Sequence, residues 1–341
     1  GAQRARDTTP SDDVMRSLAA RLGVTDTYHP TDVAVFLGPP GETVADPYFG
    51  GLGPERTGCI ECGGCMVGCR HGAKNTLDRN YLYLAEHAFG PDGARVLAGH
   101  TVVDLRPLDT GGYELTVERS GAWVRKRRRR ITTEQVVLSA GVLGTVRLLA
   151  GLVERGRLPR VSARLGERVR TNSEAILGAQ TRGRPTVDYS TGVAITSSIH
   201  PDERTHIEPV RYPKGSNAMG LLSTILVDGG GSIPRPVRFA GQALRHPVAF
   251  LRSLSVRRWS ERSLILLVMQ DHDNRLRLRW KGRRRGRVRL RSEPDRTSPS
   301  PTYLPEANQA ARLAAEIMGG VPASALNEVL LDVPTTAHIL G

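Results

Sequence analysis

The order of apolar and polar residues predicts four helices along the chain. Apolar positions with helical spacing run from Asp12 to Leu22, from Asp78 to about His87, from Thr145 to Val153 and from Pro305 to Met318. Asp12 and Asp78 are suited to cap the first two helices, because short carboxylates accept hydrogen bonds from the free N–H groups of a first turn.

Extended segments fall into two blocks. The first contains a short strand at 94–97 and a meander at 102–108, 113–119 and 123–131, with turn signals between its strands. The second block predicts a mostly antiparallel sheet under the last helix, from segments at 172–180, 193–199, 206–210, 221–227, 264–269, 275–280 and 288–291. Residues 229–262, rich in Gly, Pro and Arg, are expected to form a long loop or lid with a short helix.

Between the two blocks lies a strand, a glycine turn and a helix. The run Gln135-Val-Val-Leu-Ser139 is typical of a strand buried in a parallel sheet. Ala140-Gly141-Val142-Leu143-Gly144 ends it, and a helix follows. The free N–H groups at such a helix start suit an anion or an electron-rich ring edge.

The charge is strongly basic, but its distribution does not single out nucleic acid as the partner. The 341 residues include 48 Lys and Arg against 34 Asp and Glu, a formal net charge of +14, yet only four of the basic residues are lysines. Two dense arginine runs, 125–130 and 275–291, overlap predicted strands and are read as solvated hairpin faces. Aromatic residues make up 5%, too few to indicate stacking platforms for single strands. No apolar run reaches the length of a membrane span.

All four cysteines lie within eleven positions, with the spacing Cys59-x2-Cys62-x2-Cys65-x3-Cys69. Disulfides over such short separations would be strained, and structural zinc sites have their cysteine pairs further apart. The spacing matches the bacterial ferredoxin run for a four-iron cluster, except that Arg70 replaces the usual proline. An iron–sulfur cluster, a zinc ion and free thiols therefore remain three alternatives. Reduced thiols favour a cytoplasmic location. Because the sequence begins at Gly1 rather than at Met, a targeting segment before it stays possible, and the location is left open.

Three segments together resemble the glucose–methanol–choline (GMC) oxidoreductases, and among them the bacterial cholesterol oxidase-like branch. They are His71-Gly-Ala-Lys-Asn-Thr-Leu-Asp-Arg-Asn-Tyr-Leu82, Gly111-Gly-Tyr-Glu-Leu-Thr-Val117 and Val136-Val-Leu-Ser-Ala-Gly-Val-Leu-Gly-Thr145. The resemblance implies an FAD-binding Rossmann-like α/β domain joined to an antiparallel substrate domain. It also implies oxidation of an alcohol, bulky and apolar like a sterol, by hydride transfer to flavin.

The resemblance also assigns site residues. Val102 is expected near the adenine end of FAD, and Ala140, Gly141 and Gly144 near the cofactor at the sheet edge. Glu208 resembles the glutamate that moves a proton in steroid isomerisation, and His338 resembles the histidine beside the flavin. Electrons would pass to oxygen or, through a cluster on the cysteines, to another acceptor such as a protein.

The chain also departs from the family pattern. The strand followed by Gly-x-Gly-x-x-Gly that binds the dinucleotide is absent, and Gly51-Leu-Gly53-Pro follows no strand. We therefore expect an internal fragment, inactive by itself. Its expected ranges are a Pro/Gly-rich segment at 1–57, part of the FAD domain at 58–157, a substrate domain at 158–332 and the start of a C-terminal active-site segment at 333–341. The rival interpretation is a basic metal-binding protein of nucleic acid, built on the cysteines and arginine runs.

Overall fold

The structure is a computed structural model that describes residues 2–284, 287–333, 335–336 and 338–340. Its helices are α1 Pro10–Leu22, α2 Tyr81–His87, α3 Gly141–Glu154, α4 Arg235–Arg245, α5 Pro247–Ser253, α6 Trp259–Arg262, α7 Pro305–Ile317 and α8 Leu326–Leu331. Single 3-10 turns occupy Thr25–Thr27, Gly64–Val67, Leu77–Arg79, Gly90–Asp92 and Asn217–Leu222.

The strands are numbered in the same way. They are β1 Gln3–Arg4, β2 His29–Pro30, β3 Asp32–Val33, β4 Thr43–Val44, β5 Arg56–Thr57, β6 His100–Pro107, β7 Tyr113–Arg119, β8 Arg128–Thr133, β9 Ala175–Thr181, β10 Ser197–Ser198, β11 Thr205–Val210, β12 Ser223–Ile225, β13 Ser263–Gln270, β14 Leu276–Arg284, β15 Arg287–Pro294 and β16 Gly320–Ala325.

The chain divides into two units. The first unit comprises Gly1–Ala94, Asn172–His272 and Pro301–Ala337, and the second comprises Arg95–Thr171, Asp273–Ser300 and His338–Gly341. These limits differ from the four ranges expected from the sequence, because the first unit takes in three separate stretches of chain. Which unit binds a cofactor and which a substrate stays a prediction.

The first unit is built on a five-stranded antiparallel sheet with the order β11-β13-β9-β16-β12. One face of the sheet is covered by α1 and α7. In α7, alanines at 307, 310, 311, 314 and 315 recur at helical spacing and are almost completely buried. Such small side chains let the helix backbone approach β9 and β16 closely. Leu177, Leu264, Leu266 and Val268 complete this core from the sheet side.

A buried hydrogen-bond network fixes the start of α1. Asp12, at the third position of the helix and fully buried, accepts hydrogen bonds from the Thr9 backbone N–H at 2.9 Å and the Thr9 hydroxyl at 2.6 Å. Its other oxygen accepts from the hydroxyls of Thr196 at 2.5 Å and Ser197 at 2.6 Å. The helix is thus capped and joined to a segment far away in sequence, since each buried polar atom needs a partner.

Arg211 extends this network to the end of β11. Its Nη2 donates to the Thr196 hydroxyl at 2.7 Å and its Nη1 donates to the carbonyl of Thr191 at 2.5 Å. The side chain is 1% exposed, and burial lowers the pKa of Arg211 to about 10, although the charge of Asp12 raises it. Gly192 has a φ of 107°, and a Cβ there would come within 2.2 Å of Arg211 Nη1. Only glycine fits beside this guanidinium.

The region expected to be a lid is helical, and a buried ion pair holds it. Arg235 at the start of α4 lies 3.7 Å from Glu328 of α8, and both side chains are at most 3% exposed. Arg235 also donates to the carbonyls of Val227 at 3.0 Å and Thr302 at 3.0 Å. Burial raises the pKa of Glu328, while hydrogen bonds from Thr335 and the N–H of Ile176 oppose that rise.

The second unit contains the meander β6-β7-β8, the hairpin β14-β15 and helix α3. Val146 of α3, Val169 and Leu278 of β14 form its small core. The meander matches the sequence prediction, but its third strand begins at Arg128 rather than at 123. The hairpin was expected to belong to the large sheet and instead lies in this unit.

Four of the predicted strands are wrong in whole or in part. Residues 94–97 and 135–139 form no strand, and Val137 is 86% exposed. Segment 193–199 contributes only β10, and 221–227 is a 3-10 turn followed by the three-residue β12. An apolar run becomes a strand only where a neighbouring strand takes up its hydrogen bonds, and among the described residues none pairs with 135–139.

The fold class is therefore confirmed at the level of helices combined with antiparallel sheets. Every pairing between the named strands of the described residues is antiparallel. The Rossmann-like part of the expectation stays a prediction. Across the described stretches of chain, no helix combines the length and the apolar character that a membrane crossing needs.

Replacing Asp12 tests the network at the start of α1. Asp12→Ala should lower the free energy of unfolding by about 3–5 kcal/mol, because it leaves the buried Arg211 without its nearest negative charge. Asp13→Ala is the matched control: its side chain is 76% exposed and pairs with Arg16, so the loss should be below about 1 kcal/mol. Guanidinium unfolding followed by circular dichroism measures both, and equal losses would contradict the account.

Candidate functional site

Glu208 lies on β11, the edge strand of the five-stranded sheet. Because side chains alternate along a strand, His206 and Glu208 share one face and Ile207 lies on the other, in the core under α1 and α7. The Glu208 side chain is 14% exposed. The carboxylate thus points to the face of the sheet that the two core helices do not cover.

This second face of the sheet is apolar around the carboxylate. Glu208 is directly opposite Leu267 of β13, and Leu267 is opposite Ile176 of β9. Ile265 and Met269 lie on the same face by alternation, and all four are only partly buried, with Ile176 37% exposed. A carboxylate among partly exposed aliphatic side chains is the arrangement expected for holding a large apolar molecule with one polar group.

Three histidines stack beside Glu208. His29 and His200 are parallel with ring centroids 5.7 Å apart, and His200 and His206 are parallel at 4.6 Å. Burial, together with the neighbouring His200 and His29, lowers the pKa of His206 to about 4. The imidazole is therefore neutral at neutral pH, and its 3.5 Å approach to Glu208 is not an ion pair.

His338 lies in the second unit, on a segment that pairs with the end of the loop before β9. Leu340 exchanges backbone hydrogen bonds with Arg170 at 2.7 and 3.0 Å, and Ile339 packs against the core of Val146, Val169 and Leu278. His338 itself is exposed and has a φ of 51°, in the left-handed region. Ile339 and Leu340 are thus anchored, while His338 is exposed.

The four residues expected to contact flavin also lie in the second unit. Val102 is on β6, next to a bulge that shifts the register with β7 between Val102 and Asp104. Ala140 is the exposed residue before α3, and α3 starts at Gly141 and includes Gly144. The glycine turn therefore opens a helix as predicted, although residues 135–139 directly before it form no strand.

The cysteines line a cavity of about 20 Å³, together with His71 and Lys74. This volume is roughly that of one water molecule. Cys59 is buried with Ala5, Val35, Ala73 and Val193, Cys65 and Cys69 pack against that cluster, and Cys62 is exposed. A four-iron cluster needs far more room than this.

The expectation of an iron–sulfur or zinc site is therefore not supported. In the part of the chain that the structure describes, which includes all four cysteines, no group of three or more Cys, His, Asp or Glu is arranged to hold a metal ion. Burial raises the pKa of Cys59 and Cys65. Burial also acts to raise the pKa of Cys69, but the backbone N–H groups of residues 71–74 outweigh it and lower that pKa. The thiols are thus in unlike environments.

Comparison with known proteins agrees with the sequence motifs. No family model matches the chain. Curated proteins named cholesterol oxidase from two strains of Mycobacterium tuberculosis are each 48% identical over 343 aligned positions, 98% of this chain and 58% of theirs. Another from Acinetobacter baumannii is 42% identical over 341 positions, 97% of this chain and 60% of that protein.

The chain is a homologue of the cholesterol oxidases. The resemblance that the three sequence segments indicated is thereby confirmed. The chain spans about three-fifths of the length of these relatives. The activity in the name of these relatives belongs to proteins longer than this chain. For the protein that contains this chain, that activity is therefore a proposal.

Sequence reasoning missed the histidine stack of this cholesterol oxidase homologue. His29 and His200 are more than 170 positions apart, and no local pattern joins them. The one available signal was the alternation of Thr205–Val210, which places His206 on the same face as Glu208. The histidines meet because β2 pairs with β10 and Ile199 bridges Ile207.

The pKa of His206 predicts an acid-sensitive fold. Because the folded state disfavours the protonated ring, the unfolded state binds more protons, and stability should fall as the pH drops from about 6.5 towards 4. His206→Gln should make the urea midpoint less dependent on pH in this window. His100→Gln, at an exposed position of the second unit, should not. An unchanged slope in His206→Gln would refute the assignment.

The cysteines should differ in their effect on stability. Cys59→Ser buries a hydroxyl in an apolar cluster and should cost about 1–3 kcal/mol, whereas Cys62→Ser at the surface should change stability by less than about 0.5 kcal/mol. Thermal unfolding, with metal analysis of the same samples, measures this. Equal losses at all four positions, reproduced by a chelator, would show instead that the thiols share a metal.

Proposed function

We propose that the protein containing this chain is an FAD-dependent oxidoreductase that oxidises the hydroxyl group of a sterol or 3-hydroxysteroid. The observation that carries the proposal is the second face of the sheet in the first unit, where Glu208 lies opposite Leu267 and shares the face with Ile176 and Met269. The names of its relatives support the same substrate class. They also favour oxygen as the final acceptor over a protein partner, and the cysteine region gives no support for an electron relay.

The residues at the start of α3 fit a dinucleotide cofactor. The helix has no side-chain cap at Ala140, so the N–H groups of its first turn lack a side-chain acceptor there. Gly141 has a φ of 64° and no atom within 4 Å of the place a Cβ would occupy. Gly144 keeps the same turn bare of a side chain. A phosphate or ring edge can therefore approach the backbone closely, and Ala140, Gly141, Gly144 and Val102 would hold FAD.

FAD, when bound, supplies the hydride acceptor and returns the electrons to oxygen. The chain's own residues would do three things. The apolar face around Leu267 would bind the ring system and exclude water. The ring of His338, exposed beside the anchored Ile339, would accept a hydrogen bond from the substrate hydroxyl and take its proton as the hydride leaves the carbon. The Glu208 carboxylate would accept a proton from the ring carbon and return it when the double bond moves.

The neutral His206 supports that role for Glu208. An imidazolium 3.5 Å away would stabilise the carboxylate and weaken it as a base, whereas a neutral ring does not. Burial is the main cause that keeps His206 in this state, and the neighbouring His200 and His29 add to it. The surroundings of His206 therefore act on the reaction by holding the ring beside the base uncharged.

Glu208→Gln, made in the FAD-containing protein, tests the assignment. Isomerisation should slow by about 10²–10⁴-fold, because the amide cannot accept the proton, while the substrate still bleaches the flavin. The control is Glu203→Gln in the exposed turn before β11, which should leave both steps unchanged. Flavin absorbance follows oxidation and enone absorbance follows isomerisation.

His338→Asn should give the opposite pattern, with flavin reduction slowed and isomerisation of a supplied ketone retained. Loss of both steps in both variants, with FAD still bound, would contradict the division of roles. Absence of FAD and of any flavin reduction in the unmodified protein would refute the proposed function as a whole.

A further inference from the structure

A second, larger cavity lies in the first unit, at the end of the second face of the sheet, where Gln180 of β9 and Val321 of β16 contribute to its lining. It has a volume of about 1190 Å³ and lies between the turn that follows β9 and the helices α5 and α6. Its lining includes six exposed arginines, namely Arg182, Arg184, Arg245, Arg252, Arg257 and Arg258. A space of this size accommodates a ligand larger than a simple ion.

Among the described residues, these six arginines have no negative partners. No Asp or Glu lines the cavity, and none of the six forms an ion pair within the part of the chain that is described. Elsewhere in the same unit exposed arginines are paired, as Arg16 is with Asp7 at 2.7 Å and Arg312 with Asp228 at 2.7 Å. Like charges gathered around one cavity repel one another, and this repulsion falls when an anion binds between them.

A seventh arginine, Arg262, is buried in the wall of this cavity. It is 9% exposed, its Nη2 donates to the carbonyl of Ser255 at 2.6 Å, and its Nε has no hydrogen-bond partner. Burial lowers the pKa of Arg262, and no acidic group opposes that effect. A buried guanidinium with an unused donor is costly unless an acceptor completes it.

The side chains that line the cavity indicate which kind of acceptor would bind the unused donor of Arg262. Guanidinium groups bind phosphate by paired hydrogen bonds and retain their charge at all relevant pH values. Ser253 and Ser255 line the same cavity and add hydroxyl groups, and His246 adds a ring nitrogen. On the adjoining surface Val248 is 59% exposed and Leu251 65% exposed, which places apolar side chains beside the basic ones.

We propose that this cavity binds a phosphate-bearing anion, the headgroup of an anionic phospholipid or a free phosphorylated compound. Arg262 is the buried anchor, and Arg252 and Arg258 are the exposed contacts at its rim. Glu208 does not line this cavity, and the proposal does not rest on the proposed oxidation.

Binding of inorganic pyrophosphate to the FAD-containing protein, measured by isothermal titration calorimetry at fixed ionic strength, tests the proposal. Arg262→Met retains most of the side-chain volume and removes the charge, and it should weaken binding by about tenfold or more. The double variant Arg252→Gln and Arg258→Gln changes only exposed side chains, so its folding is not at risk, and it should weaken binding to a similar extent.

The matched control is Arg312→Gln, which removes one positive charge from an exposed, paired position of the same unit and should not change binding. Co-flotation with phosphatidylcholine vesicles, with and without phosphatidylglycerol, distinguishes the two sources. Capture only by the anionic vesicles assigns the headgroup, and tight pyrophosphate binding without capture assigns a free compound. No binding in either assay, or equal weakening by Arg312→Gln, would overturn the proposal.

Discussion

The buried contact between Asp12, Thr196 and Arg211 organises the first unit. A carboxylate and a guanidinium, both within 1% of complete burial, are joined through one hydroxyl that donates to the first and accepts from the second. Neither charge could be buried without the other, since an uncompensated buried charge costs several kcal/mol. Through it the start of α1, the segment 191–197 and the end of β11 hold one another in place. The cysteine loop joins them, because Gly63 donates to Gly192 and Gly192 donates to Glu61.

This constraint determines which face of the sheet is open. Once α1 and α7 are fixed on one side, the alternation along β11 directs Ile207 into the core and Glu208 away from it. The same alternation places Leu267 and Ile176 on the open side. An aliphatic surface with one carboxylate and a neutral histidine thus results from packing the opposite face. In the proposed function that surface binds the sterol, and Glu208 lies where proton transfer would be needed.

Local signals in the sequence predicted the elements whose stability is local. The helix near Asp12 and the helix from Pro305 were predicted to within a few residues, since caps, prolines and helical spacing are short-range features. The strands at 113–119 and 206–210 were predicted from alternation and turns. The prediction of a strand at 135–139 was wrong, because a strand depends on a pairing partner that its own residues do not specify. The iron–sulfur expectation is not supported either, because cysteine spacing reports sequence distance, whereas metal binding depends on room between the thiols.

The histidine stack and the arginine cavity could not be predicted for the same reason. Each gathers residues from distant parts of the chain, and only the pairing of β2 with β10 and the placement of α5 bring them together. The resemblance to GMC enzymes supplied Glu208, and the structure supplies its surroundings.

The most direct test of the central claim is a crystal structure of the FAD-containing protein with a bound sterol. The account predicts the steroid rings against Leu267 and Ile176 with the Glu208 carboxylate at the ring carbon; a sterol bound away from this face would contradict it.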